Sequence, residues 1–457
     1  MFRAFVCFIL LALPAGAQEP RIPQSPAEIS LSFAPLVKQA APGVVNIYAR
    51  RIVDARSPFA DDPVFGNLFR EFQSRPRVQN SLGSGVILSA DGIVVTNYHV
   101  VGQATDIHVV LNDRREFDAE ILLADEDSDL AIMRLAGASD MPHLTLRDSD
   151  TVEVGELVLA IGNPFGVGQT VSSGIVSGLA RSGTATGNAR GYFIQTDAPI
   201  NPGNSGGALI DVAGRLIGVN TSILTRSGGS NGIGFAIPSA LVAQFLEQAQ
   251  DGHRRFQRPW AGMVGQPVTA ELSDSLGLTV PGGVVIAELR PGSPFDAAGL
   301  QVGDVVVRVD RAPVNTPAEM LFRMSVRGIG RAAEVIYVRQ GQEKIALVDM
   351  IAPPDSPPRD TVDLGELNTL PGLRVARANP AVIAELGLPH DAEGVVVLDP
   401  GPYGTQVGLQ TGDRIVGING RRIDAPRDVG QMLRGGGGRV QIEVQRGTRR
   451  LLLRFRA

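Results

Sequence analysis

Short apolar runs recur through the first half of the chain, between turns rich in Gly, Asn and Asp. Runs of this length, bounded by turn residues, are typical of β-strands, and many in succession predict an antiparallel barrel or sandwich. The predicted strands are residues 44–48, 85–88, 93–96, 107–111, 130–135, 158–161, 171–179, 216–220 and 233–237. An apolar stripe at helical spacing lies in the longer irregular stretch 57–80, which is either a helix capping the barrel or a regulatory loop.

The second half of the chain contains an internal repeat. The motif Gly-Leu-Gln-x-Gly-Asp begins at Gly299 and again at Gly408. Each copy continues as an alternating apolar strand, a turn and a short helix, which predicts two small α+β modules in tandem. Two copies are too few for a solenoid.

Composition shifts mark the boundaries between these parts. A charged stretch follows the large β region, and a Pro-rich stretch, which favours an extended and semi-rigid linker, separates the repeats. We therefore predict a large domain at 18–250, a first module at 259–352, a linker at 353–366 and a second module at 367–457. The total of 457 residues fits about three domains.

The N-terminus has the parts of a secretory signal peptide: Arg3, an apolar run over 4–13 and the small-residue sequence Ala15-Gly16-Ala17. The run is too short to span a bilayer, and a buried N-terminal strand or helix is the alternative. The prediction is a signal peptide at 1–17 that is cleaved on export. Cys7 is the single cysteine, which excludes a disulfide framework, and no later run is long enough for a transmembrane helix.

The overall charge argues against binding of nucleic acid. The formal net charge is −5, and no basic footprint is present. Hydrophobic residues make up 44% and charged residues 19% of the chain, which is compatible with packed cores and excludes global disorder.

Three short sequences carry residues that together can perform nucleophilic catalysis. His99 follows one predicted strand, Asp129 precedes another, and Ser205 lies in the Gly-rich turn Gly-Asn-Ser-Gly-Gly. A serine hydroxyl needs a base to take its proton, and the base needs a carboxylate to orient it. The backbone N–H groups of Gly203 and Ser205 could bind the developing oxyanion. The order His, Asp, Ser is that of chymotrypsin-type barrels, whereas a plain Gly-rich turn is the alternative for the Ser205 sequence taken alone.

No other group of residues in the sequence indicates a catalytic, metal-binding or nucleotide-binding site. Alternation places His108 on the outer face of its strand, and the remaining histidines lie in loop or linker contexts. No His, Cys or carboxylate cluster has metal-ligand spacing, and no Gly-x-x-x-x-Gly-Lys-Ser/Thr motif is present, so we predict neither metal nor cofactor and no use of ATP.

Taken together, the motifs resemble the HtrA/Deg family of exported serine endopeptidases. The matching segments are Gly83-Ser84-Gly85-Val86-Ile87, Thr96-Asn97-Tyr98-His99-Val100, Asp129-Leu130-Ala131, Ala160-Ile161-Gly162-Asn163-Pro164, Gln195-Thr196-Asp197-Ala198, Gly203-Asn204-Ser205-Gly206-Gly207 and Gly232-Ile233-Gly234-Phe235-Ala236-Ile237-Pro238. The resemblance covers nearly all of the chain after the signal sequence. It implies a mainly β fold, namely a chymotrypsin-like double β-barrel protease followed by two PDZ domains.

The resemblance also implies roles and partners. His99, Asp129 and Ser205 would be base, orienting group and nucleophile of a periplasmic endopeptidase acting on unfolded or misfolded proteins. The segments 172–187, the turn before Ser205 and 221–231 resemble activation loops. The stretch 57–80 matches a regulatory loop but lacks the cysteine pair of some members. A homotrimer built through 32–37 is implied, and larger cages are compatible with it.

The specificity pocket is predicted to be apolar. Selection of Arg or Lys requires a buried carboxylate, yet Pro199 stands six residues before Ser205, where trypsin-like chains carry that acid. By the resemblance, the apolar side chains that line the pocket are those of Ile200, Ile233 and Phe235. Asp197 is the nearest acid, and we expect it to have a structural role.

Each repeat resembles a bacterial PDZ domain, a module that binds peptide termini. Trp260-Ala261-Gly262-Met263 and Leu370-Pro371-Gly372-Leu373 occupy the position of the carboxylate-binding loop. Pro371 removes a backbone donor from the second loop. The first module is expected to bind peptides with an apolar C-terminus. Met320 and Met324, four residues apart, either line its groove or belong to its core.

Two alternatives of different class remain open from the sequence. The chain could be a holdase chaperone without proteolysis, or a peptide-binding scaffold whose barrel is structural. The complete set of His99, Asp129 and Ser205 favours the protease, and chaperone activity could accompany it.

Overall fold

The computed structural model describes residues 32–53, 77–163, 168–182, 192–201, 203–223, 232–276, 278, 280–435 and 438–456. The predicted signal peptide, most of 57–80 and the loop residues 183–187 and 224–231 lie outside these ranges. The chain forms two compact units: the first contains the chain up to Arg181 and Phe193–Arg254, and the second contains Ser182–Tyr192 and Arg255–Ala457.

The first unit contains two closed six-stranded antiparallel barrels. The strands of the first barrel are β1 (Val44–Val53), β2 (Arg77–Ile87), β3 (Ile93–Thr96), β4 (Asp106–Val110), β5 (Glu116–Asp125) and β6 (Leu130–Leu135), in the order β1-β2-β3-β6-β5-β4. Those of the second are β7 (Leu157–Gly162), β8 (Thr170–Ser182), β9 (Tyr192–Thr196), β10 (Ala208–Asp211), β11 (Leu216–Ile223) and β12 (Gly234–Pro238), in the order β10-β11-β12-β9-β8-β7. The predicted double barrel is confirmed, and the sandwich is excluded.

Alternation along the strands fills each barrel with apolar side chains. In β4, Ile107 and Val109 are buried, whereas His108 between them is partly exposed on the outer face, as its position in the pattern predicts. Among the residues described for this unit, three helices flank the strands: α1 (Ala34–Ala40), α2 (Tyr98–Val101) and α3 (Ser239–Gln250), with 3₁₀ turns at Ala41–Gly43 and Ser149–Thr151. Leu36, within the segment expected to build a trimer, is fully buried.

The second unit contains two mixed modules. In the first, the sheet order is β13-β14-β15-β17-β18 with β16 beside β15. Its elements are β13 (Met263–Pro267), α4 (Ala270–Ser275), β14 (Val284–Leu289), α5 (Pro294–Ala297), β15 (Val305–Val309), β16 (Ala312–Pro313), α6 (Pro317–Arg327), β17 (Ala332–Arg339) and β18 (Gln342–Asp349). Met320 and Met324 are 3% and 1% exposed within the core, so they are core residues and do not present their thioethers to a groove.

The second module has a similar architecture with one additional strand. Its elements are β19 (Val362–Asp363), β20 (Arg374–Arg377), α7 (Pro380–Leu386), β21 (Val395–Asp399), α8 (Gly401–Gln406), β22 (Arg414–Ile418), β23 (Arg421–Arg422), α9 (Pro426–Met432), β24 (Arg439–Arg446) and β25 (Arg449–Arg456), and the sheet order is β19-β20-β21-β22-β24-β25. Strand β19 lies inside the Pro-rich segment that the sequence presents as a linker.

The repeated motif ends in a buried aspartate that an arginine neutralises in both modules. Asp304 accepts two hydrogen bonds of 2.7 Å from Arg339, and Asp413 accepts two of 2.7 Å from Arg446. The hydrogen bond from each guanidinium to its carboxylate raises the pKa of Arg339 and Arg446. A bidentate pair of this kind compensates a buried charge that would otherwise be costly.

Within the described ranges, no helix has the length and apolar character needed to cross a membrane. The same residues contain no group of three or more His, Cys, Asp or Glu side chains arranged to hold a metal ion.

Candidate active site

Strand pairing brings His99 and Asp129 together. Strand β3 pairs with β6, with Thr96 opposite Ala131. His99 lies on the one-turn helix after β3, and Asp129 immediately precedes β6. The Nδ1 atom of His99 is 2.9 Å from both carboxylate oxygens of Asp129, and the backbone N–H of His99 donates to Oδ1 at 3.0 Å. The carboxylate therefore fixes both the ring and the backbone of the histidine.

Asp129 is held in an unusual backbone conformation. Its φ is +53°, in the left-handed region that Asp enters more readily than most residues. The side-chain amide of Asn97, which is fully buried, donates to the Asp129 carbonyl at 3.0 Å. This bond stabilises the turn that aims the carboxylate at His99.

Thr221 contacts both Asp129 and the candidate nucleophile Ser205, a role the sequence did not reveal. Its hydroxyl donates to Asp129 Oδ2 at 2.6 Å, and its carbonyl oxygen accepts the Ser205 hydroxyl at 2.8 Å. Thr221 lies on β11 of the second barrel and is only 7% exposed. It thus contacts Ser205 through its carbonyl oxygen and Asp129 through its hydroxyl, and Asp129 in turn contacts His99.

The Ser205 hydroxyl is directed toward Thr221 in this conformation. Among the described residues, its Oγ makes no hydrogen bond to His99 Nε2. Catalytic hydrogen bonds are often loose in free enzymes and tighten with substrate bound. A rotation about χ1 between staggered positions is the movement that would redirect the hydroxyl.

Ser84 supports the turn that carries Ser205. Its N–H donates to the Ser205 carbonyl at 2.8 Å, and its hydroxyl donates to the Gly203 carbonyl at 2.6 Å. Gly206 has φ +83°, and a Cβ there would lie 2.0 Å from the Ser84 carbonyl oxygen, so only glycine fits. The N–H groups of Gly203 and Ser205 have no acceptor among the described residues, which leaves both available to an oxyanion.

The predicted pocket residues lie close together in the second barrel. Ile200 and Phe235 are each 1% exposed, and Ile233 is partly exposed. A Cβ on Gly234 would lie 2.8 Å from Ile200 Cδ1, so Ile200 packs against the strand that carries Phe235. Asp197 accepts the backbone N–H of Ile175 at 2.6 Å, which is a structural role.

The two predicted carboxylate loops differ in their backbone donors. In the first, Gly262 has φ +65°, and the N–H groups of Ala261 and Gly262 have no acceptor among the described residues. Trp260 and Met263 flank them, and the Trp260 N–H donates to the Ile351 carbonyl at 2.8 Å. In the second loop, the N–H of Gly372 already donates to a carbonyl oxygen of the same module.

Comparison with protein families gives three matches along the chain. Residues 83–219 match the trypsin-like peptidase domain, and residues 261–350 and 394–446 each match a PDZ domain. The first match contains His99, Asp129 and Ser205, and the second contains most of the first carboxylate loop.

Relatives match over almost their whole length. The chain is 36% identical to a probable periplasmic serine protease of Haemophilus influenzae, described as do/HhoA-like, with 91% of this chain and 90% of that protein covered. It is 34% identical to the periplasmic pH-dependent serine endoprotease DegQ of Escherichia coli, with 93% and 91% covered. DegP of the same organism is also 34% identical, with 92% and 91% covered.

A solved protease structure also matches the fold of this chain. The HtrA-type protease AlgW with a decapeptide is 39% identical, with 71% of this chain and 99% of that chain covered and a TM-score of 0.53. The resemblance found in the sequence is thereby confirmed, and the chain belongs to the DegP/DegQ family of serine endoproteases, in which a trypsin-like peptidase domain precedes two PDZ domains.

Proposed function

We propose that this endoprotease degrades misfolded or unfolded exported proteins in the periplasm without ATP, using Ser205, His99 and Asp129 as a catalytic triad. The observation that carries the proposal is the contact of His99 Nδ1 with the Asp129 carboxylate at 2.9 Å, beside Thr221, which contacts both Asp129 and Ser205. The carboxylate orients the base, and the Ser205 hydroxyl is activated once it turns from the Thr221 carbonyl to His99 Nε2.

The chemistry begins when Ser205 Oγ attacks the scissile carbonyl carbon and its proton passes to His99 Nε2. Asp129 holds Nδ1 in its protonated form and stabilises the imidazolium, while the N–H groups of Gly203 and Ser205 bind the negative oxygen of the tetrahedral intermediate. His99 then returns the proton to the leaving amine. Water repeats the sequence on the acyl-enzyme, which restores Ser205 and releases the new carboxylate.

The sequence of residues 1–17 and the named relatives support the proposed destination and partners. Cleavage of a signal peptide at 1–17 would deliver the chain to the compartment where the named relatives act. The substrates are polypeptides whose apolar segments are exposed, captured by the first PDZ domain and cut in the barrel. A homotrimer, larger assemblies built from it and an accompanying chaperone activity complete the proposal.

The substrate class is tested with one protein in two states. Reduced and alkylated substrate should be digested, whereas the same protein in its native fold should persist. If both states are cut at the same rate, the enzyme is a general endoprotease and the preference for unfolded chains is excluded. A Ser205→Ala protein that still prevents aggregation of the unfolded form would establish the chaperone activity separately.

Thr221 is proposed as a positioning residue. Thr221→Val keeps the shape but removes the hydroxyl bond to Asp129, and a hydrogen bond to a charged group is worth about 1.5–3 kcal/mol. We therefore expect kcat/KM to fall roughly 10- to 100-fold, mostly in kcat. Thr221→Ser, which retains the hydroxyl, should restore most of the rate. Equal loss in both variants would show that packing, and not the hydroxyl, matters at this position.

The specificity pocket should favour small or medium aliphatic residues. The basis is the apolar set Ile200, Ile233 and Phe235, together with Pro199 where a basic-specific protease has an acid. Cleavage sites in an unfolded protein, mapped by mass spectrometry, should fall mainly after Val, Ala or Ile. A majority of cuts after Lys or Arg would overturn the assignment of the pocket.

The first PDZ domain should bind a free C-terminal carboxylate. The unoccupied N–H groups of Ala261 and Gly262 are suitable donors, and β13 lies at the edge of its sheet, where an extended peptide can pair. Trp260, the only tryptophan of the chain, allows fluorescence titration of the full Ser205→Ala protein. A peptide acid should bind about tenfold more tightly than its amide, a difference of about 1.4 kcal/mol. Equal affinities would show that the loop is not a carboxylate site.

A further inference from the structure

A short segment of the chain lies along the edge of the second PDZ sheet. Strand β19 pairs antiparallel with β20, with Val362 opposite Val375 and Asp363 opposite Arg374. The pairing continues beyond the strand, because the Leu364 N–H donates to the Leu373 carbonyl at 2.9 Å. Residues 359–364 therefore run alongside β20 toward the loop that precedes it, with a kink at Asp360, whose φ is +46°.

The corresponding edge of the first PDZ domain provides a comparison for β20. Gly262 and Gly372 both have positive φ, at +65° and +82°, and the strand after each has a β-bulge at its start. Strand β13 therefore corresponds to β20. In the sheet formed by the described residues, β13 is an edge strand and carries nothing on its outer side, whereas β19 occupies that side of β20.

The segment makes the contacts expected of a bound peptide terminus. The Gly372 N–H donates to the Leu364 carbonyl oxygen at 2.8 Å, whereas the N–H of the corresponding Gly262 has no acceptor among the described residues. The Leu364 carbonyl oxygen thus takes the place that a terminal carboxylate oxygen would take. Strand direction agrees, because a C-terminal peptide added antiparallel to β20 would also end at this loop.

The side chains alternate as those of a bound peptide do. Leu364 is 3% exposed and belongs to the core of the module, whereas the neighbouring Asp363 points to solvent. Val362, on the same side as Leu364, packs against that core and lies beside α9, since a Cβ on Gly430 would be 3.7 Å from its Cγ1. The groove between β20 and α9 is therefore filled by Val362 and Leu364.

Polar contacts hold the segment at its other end. The Arg377 N–H donates to the Arg359 carbonyl at 2.7 Å, and the Arg377 side chain donates to Asp360 at 2.9 Å. Arg359 makes two 2.9 Å hydrogen bonds to Glu385 on α7, and these bonds raise the pKa of its guanidinium. These contacts are at the surface, where ion pairs contribute little, so release of the segment is opposed mainly by the burial of Leu364 in the core of the module.

We propose that residues 359–364 are a built-in ligand of the second PDZ domain, which closes its peptide groove. An external peptide with a free carboxylate and an apolar last residue enters this groove only by displacing the segment. The two PDZ domains then differ in access: the first is open to substrate termini, and the second becomes available after release of 359–364.

The test uses a probe copied from the segment. A synthetic peptide Arg-Asp-Thr-Val-Asp-Leu, with a free carboxylate and a photoreactive diazirine analogue of its leucine, is added to the full Ser205→Ala chain, and the labelled residues are mapped by mass spectrometry. We expect Leu364→Ser to increase labelling of 370–377 and α9 at least tenfold over the chain with Leu364 intact. Leu367→Ser, in the same loop but 85% exposed, is the matched control and should change nothing.

Two results would overturn the proposal. Labelling of the second PDZ domain that is already as strong as that of the first when Leu364 is intact would show that the segment does not close the groove. Labelling that stays weak in Leu364→Ser, with hydrogen-exchange protection of β24 retained, would show that β19 is a fixed strand of the domain. Labelling of the loop at 260–263 reports separately on the proposed function of the first domain and should be the same in every variant.

A surface variant decides the question if Leu364→Ser unfolds the module. Asp363→Arg replaces the exposed ion pair with Arg374 by two like charges and leaves the core unchanged. Labelling of the second PDZ domain should then rise at least threefold. Labelling no higher than that of the Asp363 chain would contradict the proposal.

Discussion

Purified Ser205→Ala protein is expected to show no measurable proteolysis while keeping its fold and its affinity for substrate. The Ser205 hydroxyl makes one hydrogen bond, to the carbonyl oxygen of Thr221, so its removal leaves the neighbouring backbone in place. Loss of the nucleophile from a serine protease costs roughly 10⁶ in kcat, because the remaining groups cannot act without it.

The assay is digestion of an unfolded protein followed by gel and mass spectrometry. Ser275→Ala is a matched control, since the Ser275 hydroxyl also donates to a backbone carbonyl at 2.8 Å but lies on exposed α4 of the first PDZ domain. It should cleave at the normal rate. Continued cleavage by Ser205→Ala protein, free of contaminating protease, would exclude Ser205 as the nucleophile.

His99→Ala should lose about as much activity as Ser205→Ala, and the double variant should lose little more. Triad members act as a unit, so their effects on kcat are far from additive. Independent, multiplying losses in the double variant would mean that His99 and Ser205 do not act in the same step.

The barrels could be predicted because their signal is local. In β4, for example, the buried Ile107 and Val109 alternate with outward-facing side chains, and a period of two is visible in the sequence without knowledge of the partners. The candidate nucleophile, base and carboxylate were also proposed from local signals, namely the residues beside each of them. The chain order of the three then favoured a chymotrypsin-type barrel over subtilisin and the α/β-hydrolases.

Thr221 and Ser84 could not be found in this way. Thr221 is 92 positions from Asp129, and Ser84 is 119 positions from Gly203, so neither contact has a sequence signal. Both depend on how strands from the two barrels approach the turn at 203–206. Both residues do lie in segments singled out from the sequence, which marked the neighbourhood but not the hydrogen bonds.

The second PDZ domain contains a paired strand that composition alone does not predict. Proline content predicts an extended linker at 353–366, but that pattern does not distinguish a free linker from a strand paired at a sheet edge. A paired strand is recognised here by the burial of Leu364 and by the hydrogen bond from the Gly372 N–H to the Leu364 carbonyl. Both are tertiary contacts, which composition does not reveal. The methionines at 320 and 324 pose the same problem, because a helical stripe can face either a groove or a core.

Asp129→Asn should reduce kcat by roughly four orders of magnitude, by analogy with the corresponding substitution in trypsin. The carboxylate of Asp129 accepts three donors: the backbone N–H of His99, its Nδ1–H and the Thr221 hydroxyl. An asparagine side chain has one oxygen that accepts and one NH₂ group that donates. The NH₂ group must therefore face one of the three donors, unless the imidazole changes tautomer so that Nδ1 can accept.

The change of tautomer explains the size of the expected effect. If the asparagine NH₂ donates to Nδ1, the proton of the neutral ring moves to Nε2, and the ring can no longer accept the proton of Ser205. The fold should be retained, because asparagine tolerates the positive φ of position 129 as well as aspartate does.

Asp140→Asn is the matched control for this prediction. Asp140 has φ +52°, nearly the same as the +53° of Asp129, but it lies in an exposed loop. Its replacement should therefore leave kcat unchanged and report any general effect of the Asp to Asn exchange at this backbone conformation.

Single-turnover hydrolysis of a peptide substrate, with folding checked by circular dichroism, measures both variants. An Asp129→Asn protein that is folded and cleaves within tenfold of the parent would show that another group orients His99. It would also exclude the proposed positioning role of Thr221, which acts through Asp129.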